Sequence, residues 1–268
     1  MIDLHSHILP RIDDGAASME VSLEMARLAV ADGITHMACT PHIVPGVYEN
    51  DTASIAEAVG QLNAAVRKAG IPLVLAAGAD VHLTPDLPEK LKSGEIPTLN
   101  KSRYFLLEPP HHVVPPRIED LTLRVLNDGF VPIITHPERL NWIRSHYDII
   151  LRLNALGCRI QLTADSLTGE FGTAAQSFAI QLIDEDRVDI IASDCHSAGS
   201  RPPRLARARE MVTQRVGKAK ADAMVVHRPA AILDDQPLPP VQASRRKQDE
   251  QCMSWIGALR RLAKIKGE

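Results

Sequence analysis

The apolar positions of this chain fall into short continuous runs, with longer amphipathic stretches between them. Residues 72–79 (PLVLAAGA), 131–135 (VPIIT) and 188–193 (VDIIAS) are the clearest runs. An apolar run without alternation is the pattern of a strand buried on both faces, as in a parallel sheet. Runs at 1–4, 35–40, 103–107 and 159–163 complete a set of seven predicted strands. Between them the spacing changes to the three-and-four period of helices. Helices are predicted over 18–32, 52–69, 116–128, 145–156, 171–185 and 203–216, with a shorter one near 219–227. Ser18 is placed to cap the first, whose apolar face holds Leu23, Ala26, Leu28 and Val30. Gly33, Gly70 and Gly129 stand where three of the helices must stop. Residues 84–101 read as a loop with a short helix. Strands alternating with helices imply a parallel sheet. Repetition to this count predicts a closed or nearly closed α/β barrel, with an open doubly wound sheet as the alternative.

Composition narrows this picture. The chain has 268 residues, enough for a barrel of about 250 residues. It is 45% hydrophobic but only 3% aromatic, so Ala, Val, Ile and Leu must build the core. The net charge of −3 is uneven: residues 245–268 carry +4, and residues 1–244 carry −7. An acidic body is a poor nucleic-acid platform, and bound metal would offset many of its carboxylates. Cys39, Cys158, Cys195 and Cys252 are scattered and form no CxxC, which predicts a reduced, cytoplasmic setting. No signal peptide is expected ahead of the first strand, because Asp3, His5 and His7 occupy the place of its apolar region. No apolar run approaches the length of a membrane span. Pro237, Pro239 and Pro240 predict a linker, so the expected organisation is a barrel over 1–235 and a linker with a basic tail over 236–268. In that tail Trp255, Ile256, Leu259 and Leu262 fall at helical spacing. A solvated or docked terminal helix is one reading, and a membrane-surface or partner-binding helix the other.

The chemistry is concentrated at the strand ends. His5 and His7 follow the first strand at i and i+2, a spacing that puts both on one face of a strand. Paired imidazoles are poor core material and good ligands for a borderline divalent metal. Asp13, Asp14 and Gly15 then make a turn that brings carboxylates to the same region. His42 follows the second strand, Asp80 the third, Glu108 the fourth and His136 the fifth, while Asp194 and His196 follow the seventh. In parallel barrels and sheets these ends gather on one face. Imidazoles and carboxylates without an obvious thiolate suit Mn²⁺, Zn²⁺ or Fe²⁺. This many donors predict two or three ions, with Asp80 placed to bridge a pair. Such ions bring a shared water toward a pKa of ~7, which gives a hydroxide nucleophile. Arg139 and Arg201 lie three and five residues beyond His136 and His196. Guanidinium groups clamp phosphate oxygens, so the set points to phosphoester hydrolysis. Ordinary ion pairs, such as Arg139 with Glu138, are the bland alternative.

Two other readings compete. Residues 195–201 (CHSAGSR) fit Cys-x₅-Arg, the loop of phosphatases that use a Cys thiolate. That reading leaves His5, His7, His42, Glu108 and His136 without a role. A metal-stabilised binding or regulatory protein without turnover is the second.

As an ordered set, DLHSHILPRIDDGAASMEVSLEMA, TPH at 40–42, GADVHLTPDL at 78–87, LLEPP at 106–110, THPER at 135–139 and SDCHSAGSRPP at 193–203 resemble the PHP (polymerase and histidinol phosphatase) superfamily. More narrowly, the chain resembles the manganese-dependent bacterial protein-tyrosine phosphatases of capsule and exopolysaccharide operons. The resemblance implies a distorted (β/α)₇ barrel with three ions. One would take His5, His7, Asp80 and Asp194, a second Asp80, Glu108 and His136, and a third Asp14, His42 and His196. Arg139 and Arg201 would hold the phosphate. Manganese is the implied metal, with iron or zinc as substitutes. The implied partner is the phosphotyrosine-bearing tail of a tyrosine autokinase of polysaccharide export, and a homo-oligomer is compatible with the pattern. A small-molecule, histidinol-phosphate-like phosphatase of the same fold is the alternative. Two positions depart from the pattern: Asp80 stands where a longer Glu is usual, and Arg11 where a Gly is common. The tail after Pro240 lies outside the resemblance.

Overall fold

The computed structural model describes residues 1–239. The predicted basic tail therefore lies outside the described residues. Strand β1 (Ile2–Asp3) leads to α1 (Met19–Ala31), whose cap is Ser18, its side chain accepting the Val21 N–H. Then come β2 (His36–Cys39), β3 (His42–Ile43), α2 (Thr52–Lys68), β4 (Val74–Ala77), β5 (Asp80–His82) and α3 (Leu87–Ser93). Next are β6 (Tyr104–Glu108), α4 (Ile118–Asn127), β7 (Val131–Ile134), α5 (Tyr147–Leu156) and β8 (Arg159–Thr163). The body closes with α6 (Ala164–Thr168), α7 (Gly172–Asp184), β9 (Ile190–Ala192), α8 (Ala206–Val216), α9 (Lys218–Asp222) and α10 (Arg228–Leu233). Among the described residues no helix is long and apolar enough to cross a membrane.

β2 and β3 are halves of one interrupted strand, and so are β4 and β5. β2 pairs with β4 and β3 with β5, while Gly78 and Asp80 donate backbone hydrogen bonds to Cys39 and Pro41 across the interruption. All pairs are parallel, and the order runs β1, β2/β3, β4/β5, β6, β7, β8, β9. Ser6 then bridges in parallel to Cys195, just beyond β9, and closes the ring. This is the (β/α)₇ barrel that the alternation predicts, and its closure excludes the open sheet.

Side-chain alternation decides what each strand offers. Tyr104 and Leu106 of β6 pack inside with Ile2, Leu4, Ala38, Ile133 and Ile190. Phe105 and Leu107 pack outward among the helices. The period of two therefore turns Glu108, last in β6, to the inner side.

The structure differs from expectation in four places. Residues 236–239 are not a free linker but are fastened beneath the barrel. Tyr104 Oη donates to the Gln236 carbonyl (2.9 Å) and accepts the Leu238 N–H (3.1 Å), and Arg159 Nη1 donates to the Pro239 carbonyl (2.8 Å). Proline has no N–H to lose, so this segment docks through the carbonyls of Gln236 and Pro239 and the one N–H of Leu238. The short helix predicted near 219–227 continues past 227 through a π-turn (Ala223–His227) into α10, because a proline near the start of α10 forfeits little. The five-residue α6 is too short to show a period in sequence. The run at 72–79 is not buried on both faces throughout, since Val74 is 56% exposed.

Candidate metal centre

The strand ends deliver every predicted ligand to one mouth of the barrel. His5 and His7 are fully buried, and their Nε2 atoms stand 3.1 Å apart. His5 Nε2 is 3.4 Å from Asp80 Oδ2 and 3.4 Å from Asp194 Oδ1, and His7 Nε2 is 3.4 Å from the same Asp194 oxygen. His42 Nδ1 lies 3.4 Å from Asp80 Oδ2 and 3.5 Å from Glu108 Oε2. Asp14 Oδ1 sits 3.6 Å from His42 Nε2 and 3.5 Å from His196 Nε2. His136 Nε2 is 3.6 Å from Glu108 Oε1. Asp194 and His136 reach inward from left-handed backbone, at φ 52 and φ 33. Holding non-glycine residues there costs on the order of 1 kcal/mol each, which the surrounding barrel must offset.

Other side chains set these ligands. Gln161 Oε1 stands 2.8 Å from His5 Nδ1, and Asp13 Oδ2 stands 2.7 Å from His7 Nδ1. Asp13 also accepts the N–H groups of Gly15 and His42, so one carboxylate ties the turn, His7 and β3 together. Gly15 must lack a side chain, since a Cβ there would lie 2.0 Å from the His7 carbonyl oxygen. Fixing the far nitrogen of an imidazole in this way orients the near one toward a metal. Sequence reading missed Gln161, whose signal is a polar residue between Ile160 and Leu162 of β8; Asp13 was named as part of the turn with Asp14.

The electrostatics suit a cation. Burial works to depress His7, but the carboxylates of Asp13 and Asp194 more than offset it and hold the imidazole up to about 10. His5 is likewise raised against its burial by Asp80 and Asp194. His136 is pushed well down by burial and by Arg139, and His196 is lowered by burial and His7. The carboxylates around His5 and His7 thus favour positive charge at this end of the cluster. Both Asp80 oxygens, His42 Nδ1 and His136 Nδ1 are buried without a hydrogen-bond partner. Unsatisfied buried atoms of this kind are costly unless something binds them. One donor atom from each of His5, His7 and Asp80 converges within 4.8 Å, as do those of His42, Asp80 and Glu108, and of His7, Asp14, His42 and His196. A fourth such group joins Glu108, His136 and His111, a residue not predicted as a ligand. The donors present fit divalent metal.

Arg139 and Arg201 meet at this cluster. Arg139 Nη1 donates to Asp194 Oδ2, and Arg201 Nη2 donates to the same oxygen at 2.6 Å and to the Asp194 carbonyl at 2.9 Å. Phe171, which no sequence signal marked, lies beneath both guanidinium groups, 4.3 and 5.6 Å from its ring centroid. Arg139 does not pair with Glu138. That side chain turns away, and its Oε1 accepts the Thr163 N–H at 2.9 Å. The thiolate reading fares badly, since Cys195 has no exposure and burial with Asp3 nearby pushes its thiol well up.

Glu138 gives a test of the local electrostatics. Burial raises its carboxyl to about 7, against the hydrogen bond from Thr163. A carboxyl so raised leaves folding unpenalised below the unfolded value near 4.5, and stability is lost as pH rises toward 7 and the unfolded chain alone ionises. The loss is about 3 kcal/mol when complete. Glu138→Gln keeps an acceptor for Thr163 without the charge. The melting temperature of wild type relative to this variant is therefore expected to fall between pH 4.5 and 7. The cluster's own titrations are common to both proteins, so parallel profiles would refute the buried-acid assignment.

Fold and site together define a parallel (β/α)₇-barrel protein with a buried cluster of imidazole and carboxylate donors at its strand ends. The chain belongs to the family described as capsular polysaccharide synthesis, CpsB/CapC, whose pattern matches residues 1–234. It is 34% identical over 250 residues to the tyrosine-protein phosphatase YwqE of Bacillus subtilis, covering 92% of this chain and 98% of that one. It is 32% identical over 241 residues to the tyrosine-protein phosphatase CpsB of Streptococcus pneumoniae, covering 88% and 99%. A crystal structure from work on YwqE and CpsB, described there as unique metal-dependent tyrosine phosphatases, superposes with a TM-score of 0.86 at 33% identity, covering 92% of this chain and all of that one.

Proposed function

We propose that this chain is a metal-dependent protein-tyrosine phosphatase acting on the phosphotyrosyl tail of a kinase of polysaccharide export. The observation that carries the reading is the meeting of two guanidinium groups at the edge of a buried histidine–carboxylate cluster, both on Asp194. His5, His7, Asp80 and Asp194 would hold one ion, Asp14, His42 and His196 another, and Asp80, Glu108 and His136 a third. Divalent ions there, manganese in this reading, would supply the positive charge that polarises a phosphoryl oxygen and acidifies water. Arg139 and Arg201 would take the remaining phosphoryl oxygens and lose little entropy in doing so, because Phe171 already holds them side by side. Gln161 and Asp13 keep the His5 and His7 rings in register. The leaving group is a phenolate, and because a tyrosine phenol ionises at about pH 10 it needs little acid assistance. A cytoplasmic setting accords with Cys39, Cys158 and Cys195, each a buried free thiol.

Hydrolysis of a phosphotyrosine peptide tests the reading when metal-stripped protein, protein refilled with Mn²⁺ and Cys195→Ser are compared. Stripping is expected to abolish turnover, Mn²⁺ to restore it, and Cys195→Ser to retain it. Activity that survives stripping and dies with Cys195→Ser would install the thiolate instead. Turnover of histidinol phosphate but not of the peptide would move the substrate to a small molecule.

A further inference from the structure

We propose that His111, in the loop after β6, is a metal ligand that completes a site with Glu108 and His136. This rests on the reading of the barrel mouth as a metal centre and goes beyond it. His111 Nε2 stands 3.2 Å from Glu108 Oε1, and His136 Nε2 stands 3.6 Å from the same oxygen. The two rings lie 5.2 Å apart between centroids, and the three donor atoms fall within one 4.8 Å group. Glu108 divides its carboxylate: Oε1 faces His111 and His136, while Oε2 faces His42 Nδ1 at 3.5 Å. Asp80 is absent from the His111 group and converges with His42 and Glu108 and with His5 and His7. The His111 imidazole stands on the same side of Glu108 as His136, both facing Oε1. Glu108 is then the carboxylate between two ion positions.

The loop that carries His111 is built to hold it. Trp142 Nε1 donates to the Pro110 carbonyl at 2.8 Å, and Asn141 N–H donates to the His111 carbonyl at 3.0 Å. Pro109 and Pro110 stiffen the approach from β6. His112 faces elsewhere, with its Nδ1 2.8 Å from Asn141 Nδ2. The His111 side chain keeps 29% exposure, so the site it completes opens to solvent on one side, as a site that exchanges ligands must.

Metal content and affinity test the assignment without any assay of turnover. The full chain would be stripped, refilled with Mn²⁺, and titrated against a chelator, with bound metal counted by mass spectrometry. His111→Ala and His111→Gln are both expected to lose one equivalent of Mn²⁺, or to bind it about tenfold or more weaker, as loss of ligand support does. His112→Ala is expected to match wild type. Melting temperatures without metal are expected to be equal for all four proteins, because His111 lies in a partly exposed loop. Unchanged content and affinity in both His111 variants would overturn the proposal while leaving the metal centre standing. An equal loss in His112→Ala would assign the effect to the loop rather than the imidazole, and would also overturn it. Wild type that takes up no Mn²⁺ would remove the metal centre itself.

Discussion

Asp194→Asn is expected to lower kcat/KM on a phosphotyrosine peptide on the order of 10³-fold or more, and to deplete bound metal with it. Asp194 is where the two halves of the site meet. Its Oδ1 faces His5 and His7 at 3.4 Å and His196 Nδ1 at 3.6 Å. Its Oδ2 receives Arg139 and Arg201. A neutral amide keeps the shape and removes the charge, and it sets an NH₂ against donors on one side or the other. The backbone supplies no alternative cause, since Asn tolerates φ 52 at least as readily as Asp. The two readouts separate the functions: kcat/KM under saturating Mn²⁺ reports the chemistry, and metal content after desalting reports the ligand. A variant with near-normal activity and a full metal complement would contradict both roles.

How much of this was legible before the structure depends on what kind of signal each feature leaves. The barrel was legible because buried parallel strands write continuous apolar runs, as in VPIIT of β7, and helices between them write a different period. The convergence of the donor side chains was legible because a polar side chain at the end of such a run has no business in a core, and parallel strands bring all such ends together. Gln161 left a weaker trace, since one amide in a strand has many uses. His111 and Phe171 left none. Their roles depend on a loop pinned by Trp142 and on the start of α7, and no period places a loop residue in space. The docking of residues 236–239 was hidden for the opposite reason. Proline-rich sequence is the ordinary mark of a linker, and only the buried Arg159 and Tyr104 show that these carbonyls have partners.

The second large effect belongs to the arginines. Arg139→Ala and Arg201→Ala are each expected to lower kcat/KM about 10²- to 10³-fold, as removal of one donor to a developing charge does. Bound Mn²⁺ is expected to stay at the wild-type level, which distinguishes them from Asp194→Asn. The double variant is expected to lose less than the product of the two. Both groups converge on one Asp194 oxygen and in the proposed reading would act on one phosphoryl group, so each is already compromised when the other is gone. Arg139→Lys is expected to recover little. An ammonium keeps the charge but has neither the planar fork that grips two oxygens nor the flat face that lies 4.3 Å from the Phe171 ring centroid. If metal were lost from the single alanine variants in step with activity, the arginines would be struts for Asp194 and not phosphate ligands. The phosphoryl group would then have to be held by the ions alone.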